Sequence, residues 1–249
     1  KLYLESFQRQ LERQNMKKRF TLLLLITTLF ILMIGLAISK NTKSNDGYWL
    51  WAGITAKDVP PKKDYFIYQG IIVQKHYQHI GLYPHPIQCS RCYLVYRFSS
   101  ELPDIDTVVE TFLKDAAKWQ RHHVRVQGVQ IDYDSPTNKL PVYADYLKTL
   151  RQKIPHEYEL NITGLVDWAI SGDKQALMLI SQETDFIAYQ LYNGRLPLNN
   201  IASYLSVLKS YPYPFRVGLL HSFPQALNKL KRNPNFKGTL YFIQKGTQQ

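Results

Sequence analysis

Cysteine is scarce, with two in 249 residues. Two thiols cannot build a disulfide-rich scaffold or a four-thiolate zinc site. The seven histidines show no H-E-x-x-H spacing, so a zincin-type metal centre is excluded. His122 and His123, like His76 and His79, read as surface residues. No G-x-S-x-G is present, which removes the serine elbow of the α/β hydrolases. No glycine-rich phosphate loop follows the first strand-like run, so a nucleotide site has no support. Neither a metal nor a cofactor is expected. Internal repeats and low-complexity tracts are missing too. Hydrophobic residues make up 45% and charged residues 20%, ordinary globular usage that excludes a disordered chain.

Aromatic rings and positive charge are plentiful. Aromatics reach 13%, with 18 Tyr and 4 Trp, and the net charge is +12. That charge raises nucleic acid as a partner. Six of the 31 Lys/Arg and two of the 19 Asp/Glu lie in residues 1–39, which leaves +8 for the remainder. There the basic residues are scattered and no base-stacking motif accompanies them. They read as a solvated basic surface, not a nucleic-acid groove. An anionic envelope polymer stays open as a partner.

Residues Phe20 to Ile38 form one apolar run of 19 residues without charge or proline. As a helix it spans roughly 28 Å, close to a bilayer's hydrocarbon core. Lys17, Lys18 and Arg19 precede it, so the positive-inside rule places residues 1–19 in the cytoplasm and the rest outside. Two readings stay open. Residues 20–38 are an uncleaved transmembrane anchor that contacts the lipid bilayer, or a signal sequence starting at Met16 and cleaved near Ala37-Ile38-Ser39. The first gives a single-pass inner-membrane protein with its C-terminal domain in the periplasm or outside the cell, the second a secreted protein. Residues 39–47 are a polar linker, and residues 48–249 are the exported domain.

Beyond the linker, short apolar runs alternate with stretches of helical spacing. Strands are expected at Tyr48–Ile54, Tyr65–Val73, Tyr93–Phe98, Val126–Asp132, Leu160–Leu165, Phe186–Tyr192, Phe215–Leu220 and Thr239–Ile243. Helices are expected at Ile105–Gln120, Leu140–Ile154, Asp173–Ser181, Leu198–Lys209 and Pro224–Lys231. The first two connections are loops rich in proline and lysine. Several strands are hydrophobic throughout, as buried parallel strands are. Eight such strands with intervening helices in about 200 residues point to a compact (β/α)8 TIM-type barrel. An open doubly wound sheet is the alternative.

In such a barrel, chemistry sits at the C-terminal strand ends. Those ends carry Trp49 and Trp51, Tyr68 and Gln69, Arg97, Asp132 and Asp134, Thr163, Asp167 and Trp168, Gln190, Tyr192 and Asn193, His221, and Tyr241. Rings that cover sugar C–H faces, beside carboxylates and amides that bond hydroxyls, suit a carbohydrate. The segment GVQIDYDSP, residues 128–136, concentrates this chemistry. Asp132 and Asp134 are two apart on a strand and face one side, with Gln130 in the same row. Two adjacent carboxylates repel, so one pKa rises, which suits a general acid for a glycosidic oxygen. The competing readings are that Asp134-Ser135 caps a helix, or that the acids hold a cation or pair with Arg97. Trp168 is a sugar platform or a core residue.

Gln127 to Asp134, QGVQIDYD, resembles the fourth-strand motif D-G-x-D-x-D-x-E of the family 18 glycoside hydrolases. Gly128 matches the glycine, Asp132 the last Asp, and Asp134 falls where the catalytic Glu belongs. Gln127 and Gln130 replace the other two acids. Gln190-Leu191-Tyr192-Asn193 resembles the family's M-x-Y-D. No S-x-G-G match occurs on the third strand and no Trp on the eighth. The resemblance implies that Asp134 protonates the leaving oxygen. It implies that Asp132 orients a substrate acetamido group attacking its own anomeric carbon, and that Tyr192 bonds the acetamido carbonyl. Aspartate is one methylene shorter than glutamate, and a shift near 1 Å can cost about a hundredfold in rate. The string VQIDYDSPTNKLPVYADYLKTLRQKIP, followed by LNITGLVDWA, is closer still to an uncharacterised bacterial family of exported barrels, a domain of unknown function. That likeness spans roughly residues 48 to 245.

The expected function is therefore a membrane-tethered, glycoside hydrolase-like protein acting on an envelope or extracellular polysaccharide, including N-acetylated ones. The alternative is a non-catalytic glycan-binding or envelope-assembly protein on a degenerate barrel. Cys89-Ser90-Arg91-Cys92 lacks a thioredoxin-like context, and outside the cytoplasm a local disulfide is expected.

Overall fold

The computed structural model describes residues 46–51, 53–194, 196–220 and 227–243. The apolar run 20–38, His221 and part of the expected helix at 224–231 lie outside these residues. Among the described residues no helix is long and apolar enough to cross a membrane.

The described residues build eleven strands: β1 (Gly47–Leu50), β2 (Asp64–Val73), β3 (His76–His79), β4 (Arg91–Phe98), β5 (Val126–Asp132), β6 (Glu159–Leu165), β7 (Phe186–Gln190), β8 (Tyr192–Asn193), β9 (Leu196–Pro197), β10 (Phe215–Leu219) and β11 (Phe236–Phe242). Eight of them run in the order β1-β11-β10-β7-β6-β5-β4-β2, and a further β1–β2 pairing closes the ring. All these pairings are parallel. The result is a closed eight-stranded parallel barrel of TIM type, with the helices α1 (Ile105–Arg121), α2 (Leu140–Lys153), α3 (Asp167–Ser171), α4 (Lys174–Glu183) and α5 (Ile201–Leu208) between strands. All eight strands expected from the apolar runs are present. The first ends earlier, because Ile54 N donates to Trp51 O at 2.8 Å and turns the chain. The sixth divides: β7 stops at Gln190, and Tyr192–Asn193 pairs antiparallel with Leu196–Pro197 as a small hairpin. An added strand, β3, pairs antiparallel with β2 inside what reads in sequence as a loop.

The helices form for local reasons. The Asp104 side chain caps α1 by accepting from Thr107 N at 3.0 Å, and Asp173 caps α4 by accepting from Ala176 N at 2.7 Å. Val108, Phe112, Ala116 and Trp119 then repeat at helical spacing and bury one face of α1 against the strands. Alternate residues of each strand separate two cores. The outward set packs under the helices, and Trp49, Phe66, Tyr93, Val95, Phe186, Ala188 and Leu240 fill the barrel.

The lumen is closed at the N-terminal end of the strands. Asp64, fully buried, receives Arg91 Nη2 at 2.5 Å and Arg216 Nη2 at 2.8 Å. The Arg216 guanidinium lies 4.9 Å from the Phe186 ring centroid, and Tyr93 OH donates to Glu159 Oε2 at 2.8 Å. Above this plug, Phe66 and Tyr93 stack 4.5 Å apart and Trp49 Nε1 donates to Gln130 Oε1 at 2.7 Å. Only the opposite end, at the C-terminal strand ends, opens to the site.

Candidate functional site

The mouth holds a cavity of about 490 Å³. Trp49, Trp51, Arg97, Asp132, Asp134, Thr163, Asp167, Gln190, Tyr192, Asn193 and Phe242 all contribute to its lining. Parallel pairing brings this set together from distant sequence. Arg97 on β4 stands in register with Asp132 on β5. Gly128 allows β5 to lie close to β6, since a Cβ there would meet Glu159 O at 2.2 Å. Gly218 on β10 makes room for the Trp49 ring, 2.7 Å from where its Cβ would be.

Asp132 is the buried acid, at 4% exposure. Its Oδ1 accepts from Thr163 Oγ1 at 2.7 Å and from Gln190 Nε2 at 3.4 Å. Its Oδ2 faces Arg97 Nη1 at 3.3 Å, while Arg97 Nη2 reaches Asp134 Oδ2 at 3.3 Å. One guanidinium thus bridges both carboxylates. Asp134 lies past the end of β5 with its side chain 47% exposed. Burial pushes the Asp132 carboxyl above its ordinary range. The Arg97 charge and the Thr163 and Gln190 hydrogen bonds act the other way, and Asp134 adds to the rise. Burial also lifts the Tyr192 phenol well above its usual value, reinforced by both carboxylates and opposed by Arg97. Tyr192 stays protonated and keeps an O–H to donate.

Rings form the apolar wall. Trp51 stacks on Tyr68 at 3.9 Å with 16° between planes, and Phe242 lies 6.0 Å from Trp51 and 5.6 Å from Tyr192. Trp49 meets Tyr192 edge to face at 6.4 Å. Trp51, Tyr192 and Phe242 are all partly exposed toward the mouth.

Four expected contacts are placed elsewhere. Gln69 is buried and accepts from Trp119 Nε1 at 3.0 Å, on the helix side of β2. Gln130 shares the row of Asp132 but sits below the cavity, occupied by Trp49. Trp168 is fully buried and donates from Nε1 to Ser135 O at 3.0 Å, which makes it a core residue. Tyr241 packs 5.4 Å from Tyr48 on the outer core. Its neighbour Phe242 takes the inward position, and strand alternation from Leu240 is the signal that identifies it. Among the described residues, Leu165, Val166, Gly194 and Leu198 also line the wall; nothing in their residue types marks them in sequence. Cys89, in the loop before β4, forms a disulfide with Cys92, the second residue of β4. Among the described residues no group of three His, Cys, Asp or Glu is placed to hold a metal ion.

The curated proteins give no match. Among solved structures, the crystal structure of a tamarind chitinase-like lectin is similar at 12% identity and a TM-score of 0.49, over 80% of this chain and 94% of that one. Residues 91–202, from β4 into α5 and including Arg97, Asp132, Asp134, Asp167 and Tyr192, match the model of a domain of unknown function, DUF3142.

Proposed function

We propose that the protein binds a glycan in the mouth of its barrel, as an exported and membrane-tethered member of the glycoside hydrolase-like barrels. The carrying observation is that Trp51, Tyr192 and Phe242 line one cavity together with Arg97, Asp134, Asp167 and Asn193. Ring faces take sugar C–H surfaces, and the polar groups beside them take hydroxyls. The tether and the export rest on the apolar run 20–38 behind Lys17, Lys18 and Arg19, and a disulfide at Cys89–Cys92 suits an oxidising compartment.

A second reading, hydrolysis, is favoured by the convergence of Asp132, Asp134 and Tyr192 on the same cavity. In it Asp134 donates a proton to the glycosidic oxygen as its bond to the anomeric carbon breaks and a substrate acetamido oxygen, oriented by Asp132 and Tyr192, bonds that carbon. Water then opens the cyclic intermediate and returns a proton to Asp134. The Arg97 bridge weighs against it, because the guanidinium 3.3 Å away already engages the Asp134 Oδ2 that would have to approach the glycosidic oxygen. Binding without turnover is therefore the preferred form.

Titration of the full chain with an oligosaccharide panel, followed for product release, separates the readings. Binding that weakens at least tenfold in Trp51→Ala, survives Asp134→Asn and yields no product supports the first. Product formed by the natural protein and lost in Asp134→Asn supports the second. No binding to any member of a broad panel contradicts both.

A further inference from the structure

The charge of the mouth is unbalanced, which bears on the kind of sugar it takes. Among the described residues lining the cavity, Asp132, Asp134 and Asp167 are acidic and Arg97 is the one cation. Arg97 is already engaged by both Asp132 and Asp134. Asp132 is further held by Thr163 and Gln190. Asp167 differs: its backbone carbonyl accepts from Ser171 Oγ at 3.2 Å, but its carboxylate has no hydrogen-bond or ion-pair partner among the described residues. Its place is fixed nonetheless. The next residue, Trp168, is locked in the core through Ser135 O, so the exposed Asp167 stays beside the cavity.

Three glycan classes meet this arrangement differently. A uronate or phosphorylated glycan brings like charge to Asp167 and finds no uncommitted guanidinium among the described lining residues. A neutral glycan leaves the carboxylate merely solvated. A sugar with an unsubstituted amine supplies the missing cation, and an ammonium-to-carboxylate hydrogen bond is stronger than a neutral one. Resting on the glycan reading above, we propose that the ligand contains a hexosamine with a free ammonium group and that Asp167 is the specificity-determining residue that receives it. The basic character of the whole chain does not conflict, because Arg97 is the one Lys or Arg among the described residues that line the mouth.

The test titrates the full chain with glucosamine, N-acetylglucosamine and uronate oligomers of equal length, in mildly acidic buffer where the sugar amine is protonated. The free-amine oligomer is expected to bind about three- to fivefold tighter than the acetylated one, the scale of one partly solvated ion pair, with the uronate weakest. Asp167→Asn is expected to abolish that preference by weakening the free-amine oligomer more than the acetylated one, while Asp167→Glu retains it. Equal binding of amine and acetamide, a preference that survives Asp167→Asn, or tightest binding of the uronate overturns the amine assignment while leaving a glycan site in place. Failure of all three to bind overturns the assignment and the glycan reading together.

Discussion

At the scale of single residues, the site turns on how one buried carboxyl is held. Asp132 is placed where burial raises its pKa, and Arg97, Thr163 and Gln190 only partly offset that cost. A carboxyl with a folded pKa above its unfolded value binds more protons in the native state. Its contribution to stability is fully present below the unfolded pKa and is lost as pH rises through the folded one. The natural protein should therefore lose stability relative to Asp132→Asn as pH is raised from the unfolded carboxylate range through the raised Asp132 value. Urea unfolding of both proteins across that window checks this. A difference that is flat with pH, or of opposite slope, contradicts it. Much of this neighbourhood is legible from residue types: Trp49, Trp51, Arg97, Asp132, Asp134, Asp167, Gln190, Tyr192 and Asn193 all reach the cavity. Two of the misplaced residues, Gln69 and Tyr241, fail for one physical reason. Side chains alternate across a strand, so Phe66 and Tyr68 facing inward send Gln69 outward, and Phe242 facing inward sends Tyr241 outward. Trp168 is read differently because a sequence does not show which face of a short helix the core will claim.

At the scale of elements, the strands are legible because parallel strands buried on both faces are hydrophobic without interruption, and the longer helices because their apolar residues repeat every three or four positions. The hairpin strand β3 is not legible. Its residues His76–His79 are polar and half exposed on an edge, so no apolar run announces them. Nor does sequence spacing reveal the plug at the N-terminal end, where Asp64 of β2 meets Arg216 of β10 across 152 residues. Both members of that pair are fully buried. Removing one leaves a charge in a low-dielectric interior, which costs about 3–5 kcal/mol. Arg216→Met should fall near about 3 kcal/mol by urea denaturation, because Arg91 still reaches Asp64. Adding Asp64→Asn should recover most of that loss. A single variant as stable as the natural protein would show that the plug is not what closes the barrel.

At the scale of the whole molecule, closure decides where ligand can go. Pairing of β1 with both β11 and β2 removes every edge from the eight-stranded ring. The polar plug fills one end, and the aromatic core occupies the middle. What remains is the mouth, where the β8–β9 hairpin raises one wall beside Tyr192 and Asn193. A strongly basic chain thus presents an opening lined, among the described residues, by rings, three aspartates and one arginine, and the proposed amine-bearing ligand follows from that contrast. A crystal structure of the full chain grown with a saturating oligosaccharide tests this most directly. A sugar ring packed on Trp51 or Phe242, with an amine or hydroxyl within hydrogen-bond distance of Asp134, Asp167 or Asn193, is the expected result. Saccharide bound elsewhere on the surface, with the mouth holding only solvent, would contradict it.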